Sequence, residues 1–378
     1  MKRKESDDVY FMRKAIRLAR KGIGNTSPNP MVGAVIVANG EIIGQGYHKR
    51  CGDFHAEINA IRNTKRSLEG STFYITLEPC CHFGRTPPCV EALIEKKPKR
   101  IVLGSIDPNP RIRGKGIRIL RSHGISVDTG ILESECLQLN EDYVKHITSG
   151  IPYLTVKYAQ TLDGKIATNT GDSQWISSEA SRKYAHHLRR IHDCIMVGRG
   201  TVATDNPKLT VRHVKGKNPL RVIVDSKLRI PLNSFVLKDS ERTIIATTSQ
   251  ASSGKVTAFK NLGVEVLIIK KDKEGGVYLR NLLKELGKRD VISVMVEGGS
   301  KLITSLLKSN LVDKMIIPIA PKIIGDGLEA VGDLCIHKIK DAVTFSTCKT
   351  VRKGEDIIFE GTVLKKTGKR KRLTEKMK

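Results

Sequence analysis

Apolar positions recur at two spacings along this chain, and the alternation between them sets the first expectation. From Asp7 onward, Phe11, Ala15, Leu18 and Ala19 fall on one side of a helix that ends at Gly22-Ile23-Gly24, with Asp7 placed to cap it. Residues 31–38 and 41–46 read as two strands joined by Asn39-Gly40, a pair suited to the positive φ angles of a two-residue hairpin turn. Then come a helix over 55–64, a strand over 71–77, a helix over 89–97, a strand over 100–106, a helix over 115–123 and a strand over 125–129. Strands alternating with helices at this spacing predict a layered α/β domain.

A second alternation starts after Ser149-Gly150-Ile151-Pro152, where a Gly and a Pro punctuate the chain. Its β-rich runs are 153–159, 194–197, 221–224, 243–247, 264–269, 291–296, 314–319 and 357–363, and helices fit 179–191, 276–286 and 300–308. The expected division is therefore 1–148, 149–364 and a tail over 365–378 that lacks a hydrophobic period and is expected to be disordered. No repeat links the two halves.

Composition narrows the class. Hydrophobic residues at 39% supply real cores, and aromatics at 4% mean those cores are built from Ile, Val, Leu and Ala. No apolar run reaches the ~18–20 residues a membrane span needs, and no hydrophobic stretch follows the polar start, so a cytoplasmic protein is expected. The net charge of +27 admits nucleic acid or a phosphorylated substrate as partner. Eight Lys/Arg and one Glu in the last 14 residues carry part of it, as a solvated tail would. Few aromatics also mean few platforms for stacking single-stranded bases. Five of the eight cysteines (51, 136, 194, 335 and 348) are scattered, but Cys80, Cys81 and Cys89 crowd one segment.

That segment carries chemistry. His55-Ala56-Glu57 precedes Pro79-Cys80, and Cys89 lies nine residues further on. One imidazole and two thiolates suit Zn²⁺ with its fourth position open to water, the mark of a catalytic site. A zinc ion can bring the pKa of such a water to about 7. Glu57, two residues from His55, can face the same water and carry protons. The pattern H-x-E followed by P-C-x-x-C marks zinc base deaminases, although here eight residues separate the two cysteines. Cys81 points elsewhere on an extended backbone, and His82 is a rival ligand better suited to lining the pocket.

The long insertion Glu78-Pro79-Cys80-Cys81-His82-Phe83-Gly84-Arg85-Thr86-Pro87-Pro88-Cys89 resembles the bifunctional deaminase/reductase family of riboflavin biosynthesis. Ser27-Pro28-Asn29-Pro30-Met31-Val32-Gly33 and Asp107-Pro108-Asn109-Pro110 are similar to the same family. The resemblance implies a cytidine-deaminase-like three-layer α/β/α domain in which His55, Cys80 and Cys89 hold zinc and Glu57 is the proton carrier. The substrate would be an aminopyrimidinone bearing a ribosyl 5′-phosphate. Asn29, His48 and Arg85 are further candidates for gripping base or phosphate.

In the second half no G-x-G-x-x-G follows a strand. Instead Glu297-Gly298-Gly299-Ser300 closes a strand and opens a helix, a place where backbone N–H groups meet anions, though a tight turn capped by Ser300 explains it equally. Three more segments, 156–165, 173–177 and 201–212, resemble the reductase half of that family, whose fold is dihydrofolate-reductase-like α/β and binds NADPH without the glycine fingerprint. By that resemblance Ala159, Trp175, Thr201, Asp205, Ser226, Gly299, Ser300, Lys301, Leu302, Ile303, Thr304 and Ser305 contact NADPH, while Ser173, Arg189, Leu209, Arg212 and Glu297 contact substrate. The guanidinium forks of Arg189 and Arg212 suit a sugar phosphate. The implied reaction is hydride transfer to the opened ribose C1, giving a ribityl chain.

Two rival readings are an RNA-directed zinc deaminase with a basic accessory domain, and an enzyme in which one half is a non-catalytic scaffold. The 205–207 loop and the 297–299 turn, which an RNA editor does not need, favour the bifunctional enzyme. No nucleic-acid or membrane partner is expected, and a homodimer is.

Overall fold

In a computed structural model, which describes residues 6–83, 87–238 and 242–365, the chain separates into two units, Met1–Ile151 and Pro152–Lys378. Arg85 and the tail from 366 onward lie outside the described residues.

The first unit begins with α1 (Asp7–Ala19). Ser6 caps it instead of Asp7: its hydroxyl accepts the Val9 N–H, and Asp7 takes the first turn, where a carboxylate favours the helix N-terminus. β1 (Gly33–Ala38) and β2 (Glu41–Tyr47) form the hairpin, with Asn39 at φ 51 and Gly40 at φ 76 as its turn requires. Next come α2 (Ala56–Arg62), β3 (Thr72–Leu77), α3 (Cys89–Glu95), β4 (Arg100–Ser105), α4 (Lys115–Ser122), β5 (Ser126–Thr129), α5 (Glu133–Leu139) and α6 (Glu141–Ser149).

The sheet order is β2-β1-β3-β4-β5. β1 is antiparallel to both neighbours, and β3, β4 and β5 run parallel. Side chains alternate across it. Ile36, Phe73, Ile75, Ile101 and Leu103 pack with Ala56 and Ala60 of α2, Val90 and Leu93 of α3, and Ile117 and Leu120 of α4. Val35, Val37, Tyr74 and Val102 pack on the opposite face with Phe11, Met12, Ala15 and Ile16 of α1 and Cys136 of α5. A sheet apolar on both faces must be covered twice, and the result is three layers. Each large side chain buried there contributes about 1.5–3 kcal/mol relative to exposure.

The second unit runs β6 (Tyr153–Lys157), β7 (Gln160–Thr161), β8 (Lys165–Thr168), α7 (Glu179–Ile191), β9 (Cys194–Gly198), α8 (Arg199–Asp205), β10 (Leu220–Val224), β11 (Thr243–Thr247), α9 (Ser253–Asn261) and β12 (Glu265–Ile268). It continues with α10 (Leu279–Gly287), β13 (Ser293–Glu297), α11 (Ser300–Lys308), β14 (Lys314–Ala320), β15 (Gly327–Glu329), β16 (Phe345–Lys353) and β17 (Asp356–Val363). The main sheet is ordered β12-β11-β10-β9-β13-β6-β14-β17-β16. It is parallel from β12 to β14 and closed by the antiparallel pair β17 and β16. Ile195, Val197, Ile223, Ile245 and Met295 share one core with Leu188 of α7, Val202 of α8 and Phe259 of α9. Strand residues of opposite parity, such as Met196, Val222 and Val294, are buried too, as are Leu283 of α10 and Ile303 of α11. This sheet is therefore also covered on both faces.

Candidate active sites

His55 is the N-cap of α2, Glu57 lies in that helix's first turn, and Cys89 is the first residue of α3. Cys80 follows three residues after the end of β3. Their ligand atoms all lie within 4.8 Å of one another. His55 Nδ1 is 3.2 Å from Cys89 Sγ and 3.6 Å from Cys80 Sγ. A tetrahedral zinc with Zn–N and Zn–S bonds of ordinary length spaces nitrogen and sulfur about 3.5 Å apart, so the three atoms fit that ion. Cys81 turns away and packs against the apolar core, and His82 is exposed.

The electrostatics suit a thiolate. A hydrogen bond from Cys89 and another from His55, against the cost of burial, hold the Cys80 thiol well below its ordinary value, while the same contact and burial raise Cys89, and the Cys89 backbone N–H also donates to Cys80 Sγ. Glu57 is 3% exposed, and burial pushes its carboxyl up against the pull of His55. It stands beside the three ligand atoms without being one of them.

A second layer fixes the ligands. His48 meets His55 edge-on, with ring centroids 5.2 Å apart. His48 Nδ1 lies 3.1 Å from the Phe54 carbonyl, which can only accept, so Nδ1 carries the proton and Nε2 accepts from the Asn29 amide at 3.1 Å. Burial holds His48 below its ordinary value. The Asn29 amide nitrogen is thereby committed, and its oxygen is left as an acceptor. Beneath Cys80, the buried Glu78 carboxylate accepts backbone N–H groups of Asp107, Gly114 and Gly116 at 3.3, 2.9 and 3.1 Å, tying the Pro79-Cys80 turn to the start of α4.

In the second unit the expected cofactor residues gather at the carboxyl ends of neighbouring parallel strands, where open α/β sheets take ligands. Ala159 follows β6, Thr201 lies in α8 just past β9, Ser226 follows β10, and Gly299 follows β13. Gly298 and Gly299 have φ of 74 and 83, and a methyl group at Gly299 would come within 3.2 Å of Thr201 Oγ1. Both the turn and the close approach need glycine. Gly299 is also the N-cap of α11, so Ser300 is the first helical residue and does not cap it. Lys301 and Ser305 are exposed and Thr304 half-buried, whereas Leu302 and Ile303 point into the core and donate their N–H groups to the Gly299 carbonyl at 3.0 and 3.1 Å, so neither presents a free group to a ligand. Burial raises the Asp205 carboxyl at the end of α8.

The expected substrate residues divide in the same way. Arg189 and Glu297 form a two-bonded pair, Nε–Oε1 2.6 Å and Nη2–Oε2 2.7 Å. Burial works to raise Glu297, but Arg189 and the nearby Lys157 outweigh it and hold the carboxyl at about 2. The Arg189 fork is thus taken by Glu297 and not presented to a phosphate. Arg212 is exposed, with only Nη1 engaged, by Thr210 Oγ1 at 2.8 Å. Leu209 is 2% exposed with φ 52, so its backbone alone can face a ligand. Ser173 lies in the loop before α7, and Trp175 there stacks under the Arg182 guanidinium, 4.7 Å from the ring centroid.

Two participants lie outside the expected set. Lys157 pairs in register with Glu297 and is half-buried, and the desolvation of its amine lowers it. A lysine ending the apolar run 153–157 was the available signal. Arg182, at i−4 and i−7 from His186 and Arg189, was legible only as a stripe along α7.

A family profile described as the RibD C-terminal domain matches residues 152–359. Another, described as the cytidine and deoxycytidylate deaminase zinc-binding region, matches residues 5–105. The riboflavin biosynthesis protein RibD of Aquifex aeolicus is 46% identical over 353 residues, covering 93% of this chain and 97% of that protein. RibD of Acinetobacter baumannii superposes with a TM-score of 0.85 at 34% identity, covering 95% of this chain and 99% of its own. A diaminohydroxyphosphoribosylaminopyrimidine deaminase/5-amino-6-(5-phosphoribosylamino)uracil reductase from Thermotoga maritima does so at 0.81 and 36%, with the same coverage.

Proposed function

This chain belongs to the RibD family, the bifunctional deaminase/reductase of riboflavin biosynthesis, and from that membership we propose how its residues divide the two reactions. The first unit deaminates the diaminopyrimidinone ribosyl 5′-phosphate, and the second reduces the ribosyl chain of the product to ribityl.

In the first unit His55, Cys80 and Cys89 hold zinc, and the observation that carries this is the spacing of their three ligand atoms beside a buried carboxylate. Zinc bound there supplies a water made nucleophilic near neutral pH. Glu57 would take one proton from that water and give it to the ring nitrogen, which keeps it, then carry the proton of the newly added hydroxyl to the amine, so that ring N=C–NH₂ becomes HN–C=O as the C–N bond breaks and ammonia leaves. Asn29, its amide nitrogen held by His48, offers its oxygen to the base.

In the second unit NADPH supplies hydride to the ribose C1 in its opened form. Ala159, Trp175, Thr201, Asp205, Ser226 and the 299–305 segment line the cofactor, the segment through the first N–H groups of α11, which face its phosphates, and through the Lys301, Thr304 and Ser305 side chains. Arg212 takes the sugar phosphate. Ser173, the Leu209 backbone and the Arg189–Glu297 pair complete the wall around the pyrimidine, so the protein's work is alignment and charge placement.

All eight cysteines are free, and Cys335 and Cys348 are exposed. Exposed thiols persist in a reducing compartment, which supports a cytoplasmic location. No helix among the described residues is long and apolar enough to cross a membrane. A homodimer is the proposed assembly, supported by the long exposed edge strand β16 and tested by light scattering on the eluting protein. Metal analysis together with product mass after incubation with the phosphorylated diaminopyrimidine, first without and then with NADPH, tests the whole reading. Bound zinc, amine replaced by oxygen, and then NADPH oxidation are expected. Deamination without NADPH consumption would reduce the second unit to a scaffold.

A further inference from the structure

Three consecutive backbone groups of one irregular segment are each held by a side chain. The Thr210 carbonyl accepts from Arg189 Nη1 at 3.1 Å, the Val211 N–H donates to Asn218 Oδ1 at 2.9 Å, and the Arg212 N–H donates to His186 Nδ1 at 3.0 Å. Residues 206–219, between α8 and β10, contain no helix or strand. These side chains therefore do for the segment what a ladder of backbone bonds does for a strand.

The bond from Arg212 specifies the state of the imidazole. A nitrogen that accepts from a backbone N–H carries no proton, so His186 is the neutral tautomer with its hydrogen on Nε2. The ring is 5% exposed and meets His213 edge-on, with centroids 4.5 Å apart. The charged and titratable groups facing it are Arg189 on its own helix, Arg212 and His213 on the segment, and Glu297 on β13. Burial and the three positive or ionisable neighbours hold it at about 4, which keeps Nδ1 an acceptor at neutral pH.

We propose that His186 is a positioning residue for the reductase substrate: its Nδ1 pins the Arg212 backbone, so that the guanidinium stands ready for the phosphate before the substrate arrives. The inference rests on the reading of Arg212 as the phosphate contact. His186 touches neither substrate nor cofactor and acts through Arg212. Without the pin, ordering the segment becomes a cost of binding and is not met in folding.

The test uses the full-length enzyme with NADPH and the deaminated ribosyl phosphate. His186→Leu removes the acceptor, while His186→Asn puts an amide oxygen close to where Nδ1 stands. For the leucine variant, KM for the pyrimidine is expected to rise about tenfold, the equivalent of one hydrogen bond lost to a part-buried amide. The KM for NADPH and deaminase turnover stay at wild-type values, and asparagine restores most of the loss. Arg212→Ala raises the same KM, and adding His186→Leu to it raises it little further, because both changes disable one device. If His186→Leu leaves the pyrimidine KM unchanged, or its effect adds fully to that of Arg212→Ala, the proposal is overturned. If Arg212→Ala itself has no effect, the reading of Arg212 fails instead. Should the leucine variant not bind NADPH, His186→Ala takes its place with the same expected outcomes.

Discussion

Glu57 is buried and Glu297 largely so, and their surroundings drive the two carboxyl groups in opposite directions. Glu57 sits among thiols and an imidazole, where burial favours its protonated form. Glu297 faces Arg189 and stays ionised. For Glu57→Gln we expect zinc to be retained and deamination to fall ~10²–10⁴-fold, the usual weight of a general acid–base group. Metal content and turnover measured on the same sample check this, and near-normal turnover removes Glu57 from the mechanism. Glu297 has a folded pKa depressed from 4.5 to about 2, so its stabilising contribution is present above the upper value and lost as pH falls through the lower. Acid unfolding of Glu297→Gln should accordingly depend less steeply on pH than wild type across that window. At this scale the gathering of His55, Cys80 and Cys89 was legible from residue type and the family resemblance, although eight residues stand between the cysteines where the short pattern has two. The burial of Leu209, Leu302 and Ile303 was not legible, since it follows from tertiary packing. The Arg189 fork being occupied by Glu297 joins residues 108 apart, which no local pattern encodes.

Elements stood out in the sequence wherever one face is apolar and the other polar. The helices Glu179–Ile191 and Ser300–Lys308 are of that kind, whereas the hairpin, whose β1 is buried on both faces, stood out by its Asn39-Gly40 turn. α5 and α6 escaped because each buries a single side chain, Cys136 and Tyr143. α9 did so because Phe259 is its one buried residue, and β16 because nearly all of it is exposed. Such elements are held by their neighbours and not by their own periodicity. Glu78 shows the converse, a polar side chain that organises elements. Its carboxylate answers N–H groups of the 107–116 segment, and Glu78→Ala leaves them buried without an acceptor. A loss of about 3 kcal/mol or more in urea unfolding of the first unit is expected, with weakened zinc retention. A change below 1 kcal/mol would show that water replaces the carboxylate.

Across the whole molecule, the two reactions occupy separate compact units, each with its own sheet and core. Chelating the metal, or replacing Cys80 by Ser, should abolish deamination and leave NADPH-dependent reduction of supplied intermediate at its wild-type rate. Full zinc occupancy in Cys80→Ser would remove that ligand from the site. Within the second unit a single helix holds Trp175 through Arg182, the 210–212 segment through His186, and Glu297 through Arg189. Losing one codon in frame between 183 and 185 would turn Arg182 about 100° away from its two companions. Nucleotide and pyrimidine affinity would then disappear together, although every side chain that meets either ligand is still encoded.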